Sequence, residues 1–405
     1  MALADALRLG EASSPELAQV HARSAQADAS AGMAAAFYFP QIVAAGTTGD
    51  GLAASPGRAP LGVGGVLASP FRTEPKPAGD IAAYWDLLDI SQSLGHVSAL
   101  RQLGAAKEQE RLMRIRVDQG ILLQYFGALR AMGQAQVWRD IAERIAAVNR
   151  VVRRDAKRGR YTEVQRLLIQ ERAEQAVLAV VTAQDGAATA RQALAIQLGR
   201  VGSPFDLPAS EASESLLECL SGNAENPLLG YARSQRAVAK AQSAASLAQA
   251  LPRLYGNASI GTVDKTLLVP DKDYSVSLGL AVPLFSGLRV FRDHQRAQAR
   301  VRETEALVDD ASRQIALGNL QYDEATAIAH AQLASLRGRE EAARKNVELS
   351  KTRYYHLTGP VSDLLDALKN LGDIELQVNA SQWDLLNALG AQKLFNGGAP
   401  VEPGR

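Results

Sequence analysis

Tyr274-Ser275-Val276-Ser277-Leu278-Gly279-Leu280-Ala281-Val282 alternates a large apolar side chain with a small or polar one along its whole length. That strict period of two predicts a β-strand with Tyr274, Val276, Leu278, Leu280 and Val282 on one face and Ser275, Ser277, Gly279 and Ala281 on the other. Nine or so residues is also about the length that crosses a bilayer when tilted. A barrel with a wet lumen needs one large apolar face and one small polar face. An edge strand of a soluble sheet satisfies the same alternation, so the stretch alone leaves both readings open.

Working outward, residues 254–262 form a matching strand, joined to residues 274–283 through a connection over 263–273. An earlier and weaker pair covers 42–48 and 83–92, separated by a loop rich in Gly and Pro over 49–80. Prolines are absent from 78–203 and again from 284–359. Because proline breaks helix interiors, both stretches have room for very long helices. Leu112, Ile115, Leu122, Phe126 and Leu129, then Val137, Ile141, Ile145, Val148 and Val152, recur at coiled-coil spacing. Helices over 97–155 and 288–356 would run about 90 Å and about 100 Å at 1.5 Å per residue. Helices that long need a partner along their length.

The plan occurs twice. Pro15 and Pro40 stand 25 residues apart, as do Pro227 and Pro252, and each pair encloses an Ala-rich helical segment that ends in a strand. Gly159-Arg160-Tyr161-Thr162-Glu163-Val164 matches Gly359-Pro360-Val361-Ser362-Asp363-Leu364 as Gly, two variable residues, a hydroxyl, an acid and an aliphatic. Glycine ends a helix by adopting the left-handed conformation, and Thr162 or Ser362 then caps the next helix with an acid at its positive end. Each copy is read as a tight helical hairpin turn, which capping alone explains. The expected organisation is a first repeat over 1–205 with its tip near 159, a linker over 206–226, a second repeat over 227–396 with its tip near 359, and a tail over 397–405. Two strands per repeat make four per chain, too few to close a barrel. Lipid tolerates no open strand edge, so membrane insertion would require identical neighbours.

Composition narrows the class. Of 405 residues 47% are hydrophobic but only 5% aromatic, the apolar content being Ala, Leu and Val, which suits closely packed helices. A net charge of +1 gives no general attraction to nucleic acid. Cys219 is the single cysteine and is read as a small buried apolar residue; it excludes an internal disulfide. His21, His96, His294, His330 and His356 are dispersed, and no zinc, phosphate-loop or nucleophile motif is present, so no metal, cofactor or catalytic residue is expected. No stretch reaches the roughly 20 apolar residues of a membrane helix. Met1-Ala2-Leu3-Ala4-Asp5 lacks the basic start and apolar run of a secretory signal.

With these features in view, the chain resembles the TolC-type outer-membrane efflux proteins from about residue 3 to 395. The resemblance rests on Phe39-Pro40-Gln41-Ile42 before the first strand, Ala281-Val282-Pro283-Leu284-Phe285-Ser286-Gly287 after the last, and Ser362-Asp363-Leu364-Leu365-Asp366-Ala367 at the second tip. It implies an α+β membrane protein: a trimeric 12-stranded β-barrel, four strands per chain, continuous with a long periplasmic α-helical barrel. It further implies a passive exit duct of a tripartite efflux pump or type I secretion system in the outer membrane. The implied partners are two identical chains, outer-membrane lipid, a periplasmic adaptor (membrane fusion protein) and an inner-membrane pump of RND, ABC or MFS type.

Asp363 and Asp366 match family aspartates that line the periplasmic aperture, and at i and i+3 they share a helix face; three copies would form an anionic ring favouring cations. Asp363 serves equally to favour a helix N-terminus. An arginine that helps close the aperture in the best-known relative is replaced here by Val361, so either the closing bonds differ, with Tyr354 and Tyr355 as substitutes, or the resting duct is looser. No cysteine near the N-terminus is present to carry the lipid anchor of some relatives. At the first tip Arg153, Arg154, Lys157, Arg158 and Arg160 put five cations in eight residues. They are read either as a solvated helix end or as an adaptor-docking tip. In the docking reading, Arg153, Arg154, Arg158, Gly159, Thr162 and Glu163 of the first tip act with Gly359 and Ser362 of the second. No interleaved aromatic platform points to nucleic acid. The rival to the duct is a soluble or periplasmic coiled-coil adaptor or scaffold, which normally has one helical hairpin flanked by β-rich domains.

Overall fold

The computed structural model describes residues 1–47, 78–156, 162–202, 205–208, 212–221, 225–261, 273–356 and 358–400. The expected loops over 49–80 and 263–273 therefore lie largely outside the described residues. In chain order the elements are helices α1 (Leu3–Ser13) and α2 (Pro15–Ala35), strands β1 (Gln41–Thr47) and β2 (Ala78–Leu88), and helices α3 (Ile90–Ala156) and α4 (Glu163–Gln197). They continue with strand β3 (Leu220–Ser221), helix α5 (Pro227–Ala248), strands β4 (Arg253–Gly261) and β5 (Asp273–Ala281), helices α6 (Arg289–Tyr355) and α7 (Val361–Phe395), and strand β6 (Ala399–Pro400). Helices α3 and α6 each have 67 residues, and α4 and α7 each have 35. Among the described residues no helix is long and apolar enough to cross a membrane.

Two expected boundaries move. Strand β2 ends at Leu88, and residues 90–92, expected as its continuation, begin α3. The reason is Asp89, whose Oδ1 accepts a hydrogen bond from the Gln92 amide at 3.0 Å and caps the helix. Strand β5 stops at Ala281, so Val282 and Pro283 lie beyond it; proline has no N–H to give a ladder.

The chain divides into two compact units, the first Met1–His21, Gln109–Gly230 and Ala311–Arg405, the second Ala22–Glu108 and Tyr231–Asp310. The second unit holds a four-stranded antiparallel sheet in the order β1-β2-β4-β5. Its register sorts the side chains onto two faces: Ile42 opposes Ala83, Ile81 opposes Ile260, Ala258 opposes Val276, and Leu254 opposes Leu280 on the apolar face. On the other face Gln41 opposes Tyr84, Tyr84 opposes Asn257, and Ser259 opposes Ser275 with their hydroxyls 2.8 Å apart. The apolar face is bare: Ile42, Ile81, Trp85, Ile260, Val276 and Leu280 are all exposed, Val276 by 82%. The helices of this unit bury small residues, among them Ala31, Ala105, Ala232, Ala239 and Ala248. Alanine lets helix backbones approach closely, as the composition led one to expect. Between α5 and α6, Ser246 meets His294 Nδ1 at 3.3 Å and Lys240 meets Glu305 at 3.7 Å.

The first unit has larger cores. Leu3 and Leu7 of α1, Leu122, Tyr125 and Phe126 of α3, Leu198, Leu217, and Trp383 and Leu394 of α7 form one cluster. Within the linker expected over 206–226, β3 pairs antiparallel with β6, which tethers the tail. Helices α4 and α7 end alike. Arg200 N donates to Ala195 O and Gly199 N to Ile196 O, while Gly398 N donates to Lys393 O and Gly397 N to Leu394 O. With Gly199 at φ 66° and Gly397 at φ 81°, both ends are Schellman motifs, which satisfy carbonyls the last turn leaves unbonded.

Gly279 sits under the ring of the opposing Tyr255, where an added Cβ would lie 2.4 Å from Cζ. Gly279→Val should cost about 1–3 kcal/mol by overpacking. In a Tyr255→Ala background the loss should shrink, as read by thermal unfolding followed by circular dichroism.

Candidate functional site

Helix α7 organises the end of the first unit that carries the second hairpin. Its buried face, Leu364, Leu365, Leu368, Leu371 and Ile374, packs with Val152 of α3, Ile169 of α4 and Val347 of α6. On the opposite, exposed face lie Asp363 and Asp366, with Asp373 two turns on. The i, i+3 spacing therefore does put the two aspartates together on a solvated face. Asp366 and Asp373 also line a groove of about 140 Å³ with Trp138, Ile141, Arg172 and Gln175 from α3 and α4.

The turn between α6 and α7 departs from expectation in two ways. Ser362 does not cap α7; Pro360 occupies the cap position and offers no side-chain acceptor, and the helix begins at Val361. Burial of Val361, only 1% exposed among Tyr354, Leu364 and their neighbours, draws the helix start back. Nor does Gly359 adopt a left-handed backbone. Thr358 ends α6 instead, its N–H donating to Arg353 O at 2.9 Å and its hydroxyl to the same oxygen at 3.1 Å. The rings of Tyr354 and Tyr355 lie 5.4 Å apart between centres and tilted by 59°, but Tyr354 is 3% exposed and Tyr355 58%. Of the two, Tyr355 alone presents its ring to solvent.

At the first tip Arg158 and Gly159 lie outside the described residues. Arg153 and Arg154 are exposed at the end of α3, where cations offset the negative end of the helix dipole. Thr162 does cap α4. Gln165 N donates to Thr162 Oγ1 at 3.3 Å and Thr162 N to Gln165 Oε1 at 3.0 Å, a reciprocal capping box. Glu163 follows in the first turn, and a hydrogen bond from Arg166 holds its carboxyl below the usual range. Cys219, read as a buried residue, is half-buried against the edge of the first core, and burial raises its thiol pKa.

Three polar constellations escaped the sequence reading. Arg144 donates to both oxygens of Glu375 at 2.9 and 3.1 Å, and Arg344 stands 3.9 Å from the same carboxylate, which joins α3, α6 and α7 around a buried charge. Asn379 donates to Arg130 O at 3.0 Å and accepts from Trp383 at 3.2 Å; Gly133 makes room for it, since an added Cβ there would lie 2.1 Å from the Asn379 oxygen. Asp118 is buried on α3 beside Glu11 of α1, itself 3.7 Å from Arg114. Burial first, then the charge and hydrogen bond of Glu11, push the Asp118 pKa up to about 8, while Arg114 opposes the shift. The one sequence signal is register: Glu375 occupies a position on the apolar stripe of α7.

With this geometry described, known proteins can be compared. No protein-family model matches the chain, and no curated protein does. Solved structures do match over almost its whole length. The outer membrane protein VceC from Vibrio cholerae superposes at TM-score 0.77 and 17% identity, covering 98% of this chain and 97% of that one. CusC, whose structures concern folding and transmembrane channel formation, superposes at 0.80 and 15%, covering 97% and 91%. A membrane protein from Pseudomonas aeruginosa superposes at 0.77 and 18%, covering 98% and 90%. The chain thus has the fold of TolC-type outer-membrane channels: long helices with a four-stranded antiparallel sheet in each chain.

Two outcomes test these constellations. Glu375→Ala strands Arg144 and should lower stability by about 2 kcal/mol, discounted from a fully buried pair because Arg144 is partly exposed. For Asp118, folding holds a proton that the unfolded chain releases above about pH 4. Its contribution is complete below that pH and is lost as pH rises through about 8. Asp118→Asn should flatten this decline, so that its thermal midpoint exceeds the wild type's at about pH 9 more than at about pH 5, as measured by circular dichroism.

Proposed function

We propose that this chain is one protomer of a homotrimeric outer-membrane exit duct, the passive last stage of a tripartite efflux pump or type I secretion system. The observation that carries the reading is the sheet of the second unit. One face is apolar and bare, the other is polar, and β1 and β5 each pair on one side only among the described residues. Water disfavours the first feature and a bilayer forbids unpaired edges. Three copies, β5 of each joined to β1 of the next, satisfy both as a 12-stranded barrel with a polar lumen. The likeness to VceC and CusC supports the outer membrane as the location. In this reading the helices form a periplasmic barrel, and the equal lengths of α3 and α6, and of α4 and α7, reflect a duplicated plan.

The site residues take roles within that assembly. Asp363 and Asp366, exposed on α7, form an anionic ring at the periplasmic aperture, and Tyr355 rather than Tyr354 reaches the neighbouring chain. Val361 is buried and takes no part in closure. Arg153, Arg154, Arg158, Gly159, Thr162, Glu163, Gly359 and Ser362 form hairpin tips for a periplasmic adaptor. An inner-membrane pump of RND, ABC or MFS type supplies the energy; the duct itself performs no chemistry.

Detergent-dependent extraction as a trimer, with conductance in planar bilayers, is the expected result. A detergent-free monomer would support the coiled-coil scaffold instead. Asp363→Ala with Asp366→Ala should weaken block by multivalent cations by about tenfold, since two charges per chain leave the ring. Unchanged conductance and unchanged block would remove the aperture assignment.

A further inference from the structure

The segment joining β5 to α6 combines two features that neither the sheet nor the helix needs. Leu284 and Phe285 are 93% and 84% exposed, and Leu288 and Phe291 are also mostly exposed. Val282 and Leu284 lie just past the end of β5 and, exposed like its apolar side chains, add to the apolar surface at that end of the sheet. Then come Arg289, Arg292, Arg296 and Arg300, spaced three, four and four residues apart and so aligned on one flank of α6. All four are exposed.

Helix stability does not explain this arrangement. Cations near a helix N-terminus oppose its dipole, and the first turn of α6 contains no acid. Between Val282 and Arg302 the one acid is Asp293, which stands 3.7 Å from Arg289 and 3.4 Å from Arg296 and cannot neutralise both. The Arg292 guanidinium lies 5.9 Å from the Phe291 ring centre and donates to Gln295 at 2.9 Å, so its charge has no anion there.

The strand register sets the level of these groups. Antiparallel pairing gathers the start of β1, the end of β2, the start of β4 and the end of β5 at one end of the sheet. Tyr38, Phe39 and Trp85 are exposed at that end, with Trp85 Nε1 donating to Tyr38 O at 3.0 Å. Aromatic residues collect where hydrocarbon meets headgroups. A headgroup layer is about 5–8 Å thick. Along the helix axis Arg292 stands about 5 Å from Arg289, Arg296 about 10 Å and Arg300 about 17 Å, so the long side chains of the first three reach that layer while Arg300 lies clear of it.

We infer that Arg289, Arg292 and Arg296 form a binding site for the phosphate of an anionic phospholipid headgroup, with Leu284 and Phe285 anchored in its acyl chains. The inference rests on the membrane reading of the sheet. It adds a lipid selectivity that a barrel wall alone does not have.

Native mass spectrometry of the full chain in detergent tests it, with titration by phosphatidylglycerol and by phosphatidylcholine. The wild type should prefer phosphatidylglycerol by about tenfold or more, as expected for three arginines near an anionic headgroup. Arg289→Gln/Arg292→Gln/Arg296→Gln should abolish the preference, while the corresponding triple Lys variant and Arg300→Gln should keep it. Equal binding of the two lipids by the wild type, or a preference that survives the triple Gln change, overturns the inference. So does capture of an acidic protein that depends on these arginines, when the lipids bind equally. The same spectra report oligomer mass. A trimer without lipid preference sinks this inference alone, whereas a monomer sinks the duct reading with it.

Discussion

Backbone amides and carbonyls on the outer edges of β1 and β5, unpaired among the described residues, are the constraint from which the rest of the second unit follows. A four-stranded sheet leaves two rows of such groups, and each row is costly wherever water is excluded. Here the same sheet also leaves most of a face of Ile, Val, Leu and aromatic side chains uncovered among the described residues. A soluble protein would cover that face with helices or a second sheet and blunt its edges. Neither device is present among the described residues, and the opposite face is polar where a soluble core would lie. Association of identical edges meets both demands at once.

In the first unit the organising role falls to α7. Its apolar face joins helices α3, α4 and α6, and Glu375 sets a buried charge among them that Arg144 satisfies from two sides. A buried pair of this kind adds little net stability, but losing one partner is costly, so it defines which helix lies where. Gly133 and Gly372 let α7 approach α3 closely, since an added Cβ would meet Asn379 at one and Ile141 at the other. Asp363 and Asp366 are presented on the exposed side of a helix whose inner side is anchored over many residues.

Much of the fold was legible from spacing alone. The alternation from Tyr274 placed β5, although the strand ends at Ala281 and not at the expected 283, and the proline-free stretches placed α3 and α6 because helix interiors exclude proline. What failed was local competition. Residues 89–92 continue an apolar pattern that suits a strand, yet one carboxylate at Asp89 turns them into helix. At 359–362 the Gly-to-Ser spacing copied the first tip, but Pro360 and the burial of Val361 moved the helix start. Strands β3 and β6, of two residues each, have no period to detect. Glu375, Asp118 and Asn379 depend on partners hundreds of positions away or on another helix, which one-dimensional patterns do not encode. Of the proposed site, the shared face of Asp363 and Asp366 was legible, while the unequal exposure of Tyr354 and Tyr355 needed the packing.

The pairing of β3 with β6 bears on how the molecule is made. The core of the first unit draws on three separated segments, and Leu3 and Leu7 pack in the same cluster as Leu394. A chain that emerges from its amino end can pack those leucines against Ile121, Leu122 and Leu198 first, but Leu394 and β6 complete the cluster only when nearly all of it has been delivered. Contacts of such long range form slowly and leave sticky intermediates. Assembly of this core therefore closes late, when the carboxy-terminal segment reaches surfaces that the earlier helices have already built.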